Sequence, residues 1–209
     1  MESAPTVLNL LIPALLGYLL GSVPFAVIVS KVFGLTDPRS HGSGNPGATN
    51  VLRTGNKAAA ALTLLGDATK GWLAMFIAQR VGAGETAVGI AGLAAFIGHV
   101  FPFTLGFKGG KGVATALGVM LGFSGALAGI ALTIWLAVAA LSRYSSLAAL
   151  TAAFASPFAA WLLTGNLAVT LPVTIMSAVL ILRHKGNIAK LLAGTESRIG
   201  AGKKAAQES

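Results

Sequence analysis

The chain contains no cysteine, so disulfides and thiolate-ligated metal sites are excluded. Charge is also scarce: 10% of the 209 residues are Asp, Glu, Lys or Arg, against about 25% in ordinary soluble domains. The shortage is worst for acids, six against fifteen Lys and Arg, with three His. No Asp/Glu/His group has metal-ligand spacing, so neither a metal nor a cofactor is expected. No polar linker and no internal repeat divides the chain. It reads as one polytopic domain over residues 1–209, with 199–209 a flexible cytoplasmic tail. Only Glu2 precedes the first apolar run, which therefore lacks the basic n-region of a signal peptide.

Apolar residues supply the bulk, 55% of the total, in runs long enough to cross a bilayer. Val7–Phe33, Ala58–Val81, Ala87–Phe107, Ser145–Leu163 and Leu167–Leu182 are five spans. Gly112–Leu141 is ambiguous. As one helix it would run about 45 Å, longer than a ~30 Å hydrocarbon core. As two helices it breaks around Gly122–Gly125. Charge separates the alternatives. Six spans would place the basic C-terminal residues opposite Arg39, Arg53 and Lys57. Seven spans put thirteen of the fifteen basic residues on one side, leaving Arg80 opposite and Lys70 in the membrane. The positive-inside rule favours seven transmembrane helices, N-terminus outside and C-terminus cytoplasmic. The net charge of +9 then reflects basic loops facing anionic lipid headgroups, and no nucleic-acid partner is expected. Lys31, Lys57, Arg143, Lys203 and Lys204 read as topology anchors.

This arrangement gathers His41–Arg53, Lys108–Thr115, Arg143–Ser146 and Arg183–Arg198 at the cytoplasmic boundary. Two of these segments are glycine-rich loops with fixed cations, Ser43–Arg53 and Gly106–Gly112. Exposed glycine amides beside ammonium or guanidinium groups suit phosphate oxygens; each loop alone is equally a tight turn. The second loop is no Walker A motif, because Gly112 follows Lys111 where Ser or Thr is required. Asp67 and Lys70, three residues apart in the second span, share a face and read first as a buried structural ion pair, second as part of a substrate path. His99 reads as a helix-end hydrogen-bonding residue, and His41 has no evident partner. His184 and Asn187 have the same spacing and are expected on one helix face, where they would position a nucleophile or a carbonyl.

Three blocks, GSGNPGATNVLR (Gly42–Arg53), GHVFPFTLGFKGGKGVAT (Gly98–Thr115) and RHKGNIAKLLAGTESRIG (Arg183–Gly200), resemble the PlsY family. Smaller likenesses lie at Gly21–Pro24, Gly66–Gly71 and Arg143–Leu147. That family comprises the bacterial membrane acyl-phosphate:glycerol-3-phosphate acyltransferases. The resemblance implies a seven-helix fold in the cytoplasmic (inner) membrane, multi-pass, with its active site at the cytoplasmic face. It also implies one reaction. A fatty acyl group moves from acyl phosphate to the 1-hydroxyl of sn-glycerol 3-phosphate, giving lysophosphatidic acid and inorganic phosphate, the first step of bacterial phospholipid synthesis. The implied partners are these two substrates and membrane lipids, with functional coupling to the enzyme that makes acyl phosphate.

By the same resemblance, Ser43, Arg53, Lys111, His184 and Asn187 are catalytic positions. Gly44, Asn45, Thr49, Asn50, Lys108, Gly109, Gly110, Ser146 and Glu196 are substrate- or phosphate-binding positions, with His99 and Phe107 framing them. Where the family often carries a hydroxyl three places after Ser146, this chain has Ala149. Two phosphates require two subsites: Lys108 or Lys111 with the Gly109–Gly110 amides for one, Ser43, Asn45 and Arg53 for the other. The proton from glycerol goes either to His184 or to a substrate phosphate. The competing reading is a membrane transporter of a phosphate ester, which the interrupted spans and the Asp67–Lys70 pair would also suit.

Overall fold

A computed structural model describes residues 7–200 of the chain; Glu2, Lys203, Lys204 and most of the expected tail lie outside the described residues. All regular structure among those residues is helical. Helix α1, Val7–Gly21, ends where Ser22–Val23–Pro24 interrupts the first apolar run, and α2, Phe25–Val32, resumes it. Proline supplies no amide N–H, so the span breaks instead of running straight through. A short helix, α3 (Ala48–Leu52), lies within the first loop, and α4 (Lys57–Arg80) follows, capped by Asn56 accepting from Ala59 N at 2.9 Å. Helix α5 (Glu85–Val100) leads through a 3-10 turn, Phe103–Leu105, into the second loop.

The ambiguous apolar stretch is two helices, α6 (Val113–Phe123) and α7 (Gly125–Ser142). Ser124 terminates the first and caps the second, accepting from Leu127 N at 3.4 Å. The chain ends in α8 (Ser145–Thr164), α9 (Leu167–Arg183) and α10 (Lys185–Leu192). Four helical stretches are long and apolar enough to cross a membrane: Val7–Val32 taken across its break, Glu85–Leu105, Gly125–Ser142 and Ser145–Thr164. A fifth, Leu167–Arg183 with Lys185–Leu192, bends by 56°.

Helix α5 forms the centre, packing against α1, α4, α6 and α9. It can do so because its faces are small. Gly17 and Gly21 of α1 lie directly on the Ala91 and Ala95 backbone, and a Cβ at either glycine would overlap it. The exterior is apolar instead: Leu11, Leu15, Leu141, Phe154, Phe158 and Leu162 are exposed. A surface of that composition on a helical bundle faces lipid.

Contacts between loops sort the helix ends into two groups. At one end, Glu85 accepts from Asn166 Nδ2 at 2.7 Å and Gln79 donates to Gly122 O at 3.3 Å. At the other, the first loop meets α8, the second loop meets α10, and Arg143 exchanges hydrogen bonds with Ile199, donating from its guanidinium at 3.0 Å and accepting at 2.7 Å. Both glycine-rich loops, Ser43–Arg53 and Gly106–Gly112, are at that second end.

Candidate active site

In the first loop, Asn50 is the organiser. It is buried, donates through Nδ2 to Pro38 O at 2.6 Å and His41 O at 3.1 Å, and accepts through Oδ1 from Ser43 N at 3.1 Å. The same oxygen accepts from Arg53 Nη1 at 3.2 Å, and Arg53 Nη2 donates to Ser197 Oγ at 2.6 Å. The guanidinium is thereby held between the loop and the segment after α10. Thr49 Oγ1 lies 3.3 Å from Ser145 Oγ at the start of α8. Ser43 is exposed and Asn45 half-buried, both at the loop surface.

In the second loop Lys111 is half-buried and donates to Asn187 Oδ1. Asn187 Nδ2 donates to Glu196 Oε1 at 2.8 Å, and Ser146 Oγ donates to the same oxygen, also at 2.8 Å. A single carboxylate thus joins the second loop, α8, α10 and the following segment. Burial pushes the Lys111 ammonium below its ordinary value; Glu196 opposes this, while Arg53, Arg183 and Lys190 add to it. Four cations therefore crowd one acid, and the balance favours an incoming anion. Lys108 is exposed, and its ammonium makes no hydrogen bond or ion pair among the described residues.

The glycine amides expected to meet phosphate have partners within the protein. Gly44 N donates to His41 O at 2.9 Å, Gly109 N to Val100 O at 3.2 Å and Gly110 N to His99 O at 3.2 Å. The Gly44 amide closes its own turn, and the Gly109 and Gly110 amides tie the second loop to the end of α5, so these three N–H groups are already engaged. The glycines are needed for other reasons. Gly44 has φ +66, which side-chain-bearing residues rarely adopt, and a Cβ on Gly110 would collide with the His99 ring.

His184 and Asn187 do not lie within one regular helix: Asn187 belongs to α10, and His184 precedes it. Helix α9 ends at Arg183 and α10 starts at Lys185 across the 56° bend, with His184 at the junction and Gly186, a weak helix former, just beyond. His184 is buried, and its Nδ1 lies 2.8 Å from Leu180 O. A carbonyl only accepts, so Nδ1 carries the proton and Nε2 keeps its lone pair. Burial, reinforced by Lys111 and Arg183, lowers the His184 pKa to about 4 against the partial opposition of Leu180 O and Glu196. The imidazole is neutral at physiological pH.

Residue-level reading missed Arg183, which donates to Gly109 O at 3.1 Å and lies over the Phe101 ring, and Ser197, which holds Arg53. Both lie inside the third block, next to His184 and Glu196, where residue type alone gives neither a partner. Ala149 is buried and lines a narrow apolar cavity between α6, α8 and α9, with Val113, Ala116, Ala152, Met176 and Leu180. Asp67 and Lys70 do form a buried pair at 2.8 Å, and His99 Nδ1 lies 3.4 Å from Asp67 Oδ1.

The family described as glycerol-3-phosphate acyltransferase matches residues 11–194. The glycerol-3-phosphate acyltransferase of Laribacter hongkongensis is 59% identical over 193 residues, covering 90% of this chain and 96% of that protein. That of Bordetella petrii is 54% identical over 213 residues, covering 98% of this chain and 100% of its own. A crystal structure of PlsY, an integral membrane glycerol 3-phosphate acyltransferase, in its glycerol 3-phosphate form superposes with TM-score 0.87 at 37% identity, over 93% of this chain and 98% of that one. Its lysophosphatidic acid form superposes with TM-score 0.84 at 37% identity, over 91% and 95%.

Proposed function

The chain belongs to the glycerol-3-phosphate acyltransferase family, and on that premise we propose that its crowded cationic loop end is where an acyl group passes between two phosphate-bearing molecules. It is an integral membrane acyltransferase that acylates glycerol 3-phosphate to lysophosphatidic acid, in keeping with the relatives and the two liganded forms of the similar structure. The observation that carries the site assignment is the network Lys111–Asn187–Glu196–Ser146, with Arg53 held alongside by Asn50 and Ser197.

The donor is acyl phosphate. Lys111, steadied by Asn187, holds one phosphate; Arg53, with Ser43 and Asn45 at the loop surface, holds the other. Charge-assisted contacts of this kind contribute about 1.5–3 kcal/mol each. The alkyl chain follows the apolar cleft under Ala149 and Leu180, which starts one helical turn below Ser146 and His184.

The glycerol 1-oxygen attacks the acyl carbon, the bond from that carbon to the phosphate oxygen breaks, and the hydroxyl proton moves to phosphate. Acyl phosphate has an acidic leaving group, so no general acid is required. With a pKa of about 4, His184 is a weak base at neutral pH, whereas a phosphate monoester's second pKa is near 6, closer to the working pH. The substrate phosphate therefore takes the proton, and His184 Nε2 and Asn187 orient the reacting groups.

The bundle takes seven spans, with the loop end in the cytoplasm of the bacterial inner membrane and the N-terminus outside. The positive-inside distribution supports this. Residues 1–209 act as one domain, and the supply of acyl phosphate couples the protein functionally to the enzyme that makes it. A carrier would place its polar site near the midplane; here the polar groups gather at one end, and Asp67 and Lys70 close on each other. The deciding experiment sets glycerol 3-phosphate uptake by proteoliposomes beside phosphate release from acyl phosphate.

A further inference from the structure

The break in the first span exposes two backbone carbonyls that a continuous helix would have engaged. Other elements reach both: Thr104 Oγ1 donates to Ser22 O at 2.6 Å, and Lys70 Nζ donates at 2.9 Å to Val23 O, which also accepts from Phe25 N at 3.2 Å. Lys70 pairs with Asp67 at 2.8 Å, and Asp67 Oδ1 lies 3.4 Å from His99 Nδ1. All three charged or titratable side chains are buried, none more than 7% exposed. The far edge of the His99 ring packs on Gly110, and the His99 carbonyl accepts from Gly110 N at 3.2 Å. Gly110 immediately precedes Lys111. Around this cluster lies a small cavity whose walls include Val23 and Pro24 from the break, Pro46 from the first loop, and Gly109 and Gly110 from the second.

A continuous path of contacts therefore runs from the broken span through Lys70, Asp67 and His99 to the residue beside Lys111, with the first loop resting on the same cavity. A buried ion pair adds little net stability relative to a well-packed apolar filling. What it adds here is direction. The Lys70 ammonium points at one carbonyl, and the Asp67 carboxylate fixes the ring that Gly110 leans on.

We infer that Asp67, Lys70 and His99 are positioning residues for acyl transfer, a buried platform that sets the separation between the Arg53 and Lys111 loops. They touch no substrate and act through Gly110 and the break. The inference rests on the reading that Lys111 and Arg53 hold the two phosphates.

The test is a kinetic and thermal comparison of purified protein in lipid vesicles, using a long-chain acyl phosphate and glycerol 3-phosphate. His99→Phe keeps the ring against Gly110 but loses the nitrogen facing Asp67; His99→Asn keeps a donor there. Asp67→Asn/Lys70→Met removes both charges together, so no lone charge is buried, and it carries the test if the ring replacement lowers folded yield. Misplacing a binding group by about 1 Å costs on the order of 10–100-fold. His99→Phe and the double variant are expected to raise KM for at least one substrate by about 10-fold, at an unfolding temperature close to wild type, with His99→Asn recovering most of the loss. Wild-type KM and kcat per folded molecule, with only the unfolding temperature lowered, would overturn the platform. Lys111→Ala in the same assay separates the two ideas: an unchanged KM there defeats the phosphate assignment itself, whatever the platform variants do.

Discussion

Lys111 donates its ammonium hydrogen bond to Asn187 Oδ1, joining residues 76 positions apart. The contact fixes where the lysine charge sits when an anion arrives, because Asn187 is itself anchored by Glu196 at 2.8 Å. Removing either partner should therefore lower kcat/KM by about 10–100-fold, the range of one charge-assisted contact. As the two act as a unit, Lys111→Ala/Asn187→Ala should be no worse than the poorer single variant by more than about 3-fold. Steady-state kinetics on the three variants measure this, and fully additive losses would dissolve the unit.

Arg53 has its guanidinium divided between Asn50 Oδ1 at 3.2 Å and Ser197 Oγ at 2.6 Å. Arg53→Ala should reduce turnover by about 100-fold in folded, membrane-inserted protein, and Arg53→Lys should restore little of it, since an ammonium cannot reproduce the fork. Phosphate release from acyl phosphate reads both. Wild-type activity in Arg53→Ala would remove one of the two subsites.

The pH dependence distinguishes the two proton acceptors. Burial, the largest cause, lowers the His184 pKa from 6.5 to about 4. A base with that value would hold the rate level down to about pH 4. A substrate phosphate titrating near 6 would make the rate fall below about pH 6. The limb near pH 6 is expected, and it should survive in whatever activity His184→Gln retains. The same histidine affects stability: with its folded pKa depressed, its contribution is fully present above its ordinary 6.5 and is lost as pH falls through about 4. Thermal unfolding of wild type against His184→Gln across that window should show the difference shrinking on the acid side.

The long elements were legible because hydropathy and charge carry them. The stretch from Gly112 to Leu141 was divided by charge counting, and the break falls at Ser124, inside the expected Gly122–Gly125 window. The short elements were not legible. Helix α3 has five residues, too few for a periodic pattern, and α10 follows a bend that His184–Asn187 spacing on an ideal helix conceals. Of the site, the cations and amides could be read from the blocks. The direction of backbone amides could not: Gly109 and Gly110 look like a phosphate cradle in sequence, yet their N–H groups turn inward to Val100 O and His99 O. The roles of Arg183 and Ser197 depend on which loops meet, and His99 joins Asp67 and Lys70 only because α5 packs on α4. Such contacts across the fold have no local signature.

The most direct test of the account supplies purified protein in vesicles with a long-chain acyl phosphate, with and without glycerol 3-phosphate, and follows inorganic phosphate and lysophosphatidic acid together. The account predicts release that depends on glycerol 3-phosphate, equimolar lysophosphatidic acid, and no product when an acyl thioester replaces acyl phosphate. Release at the same rate without glycerol 3-phosphate, or accumulation of glycerol 3-phosphate inside the vesicles with no lysophosphatidic acid formed, would contradict it.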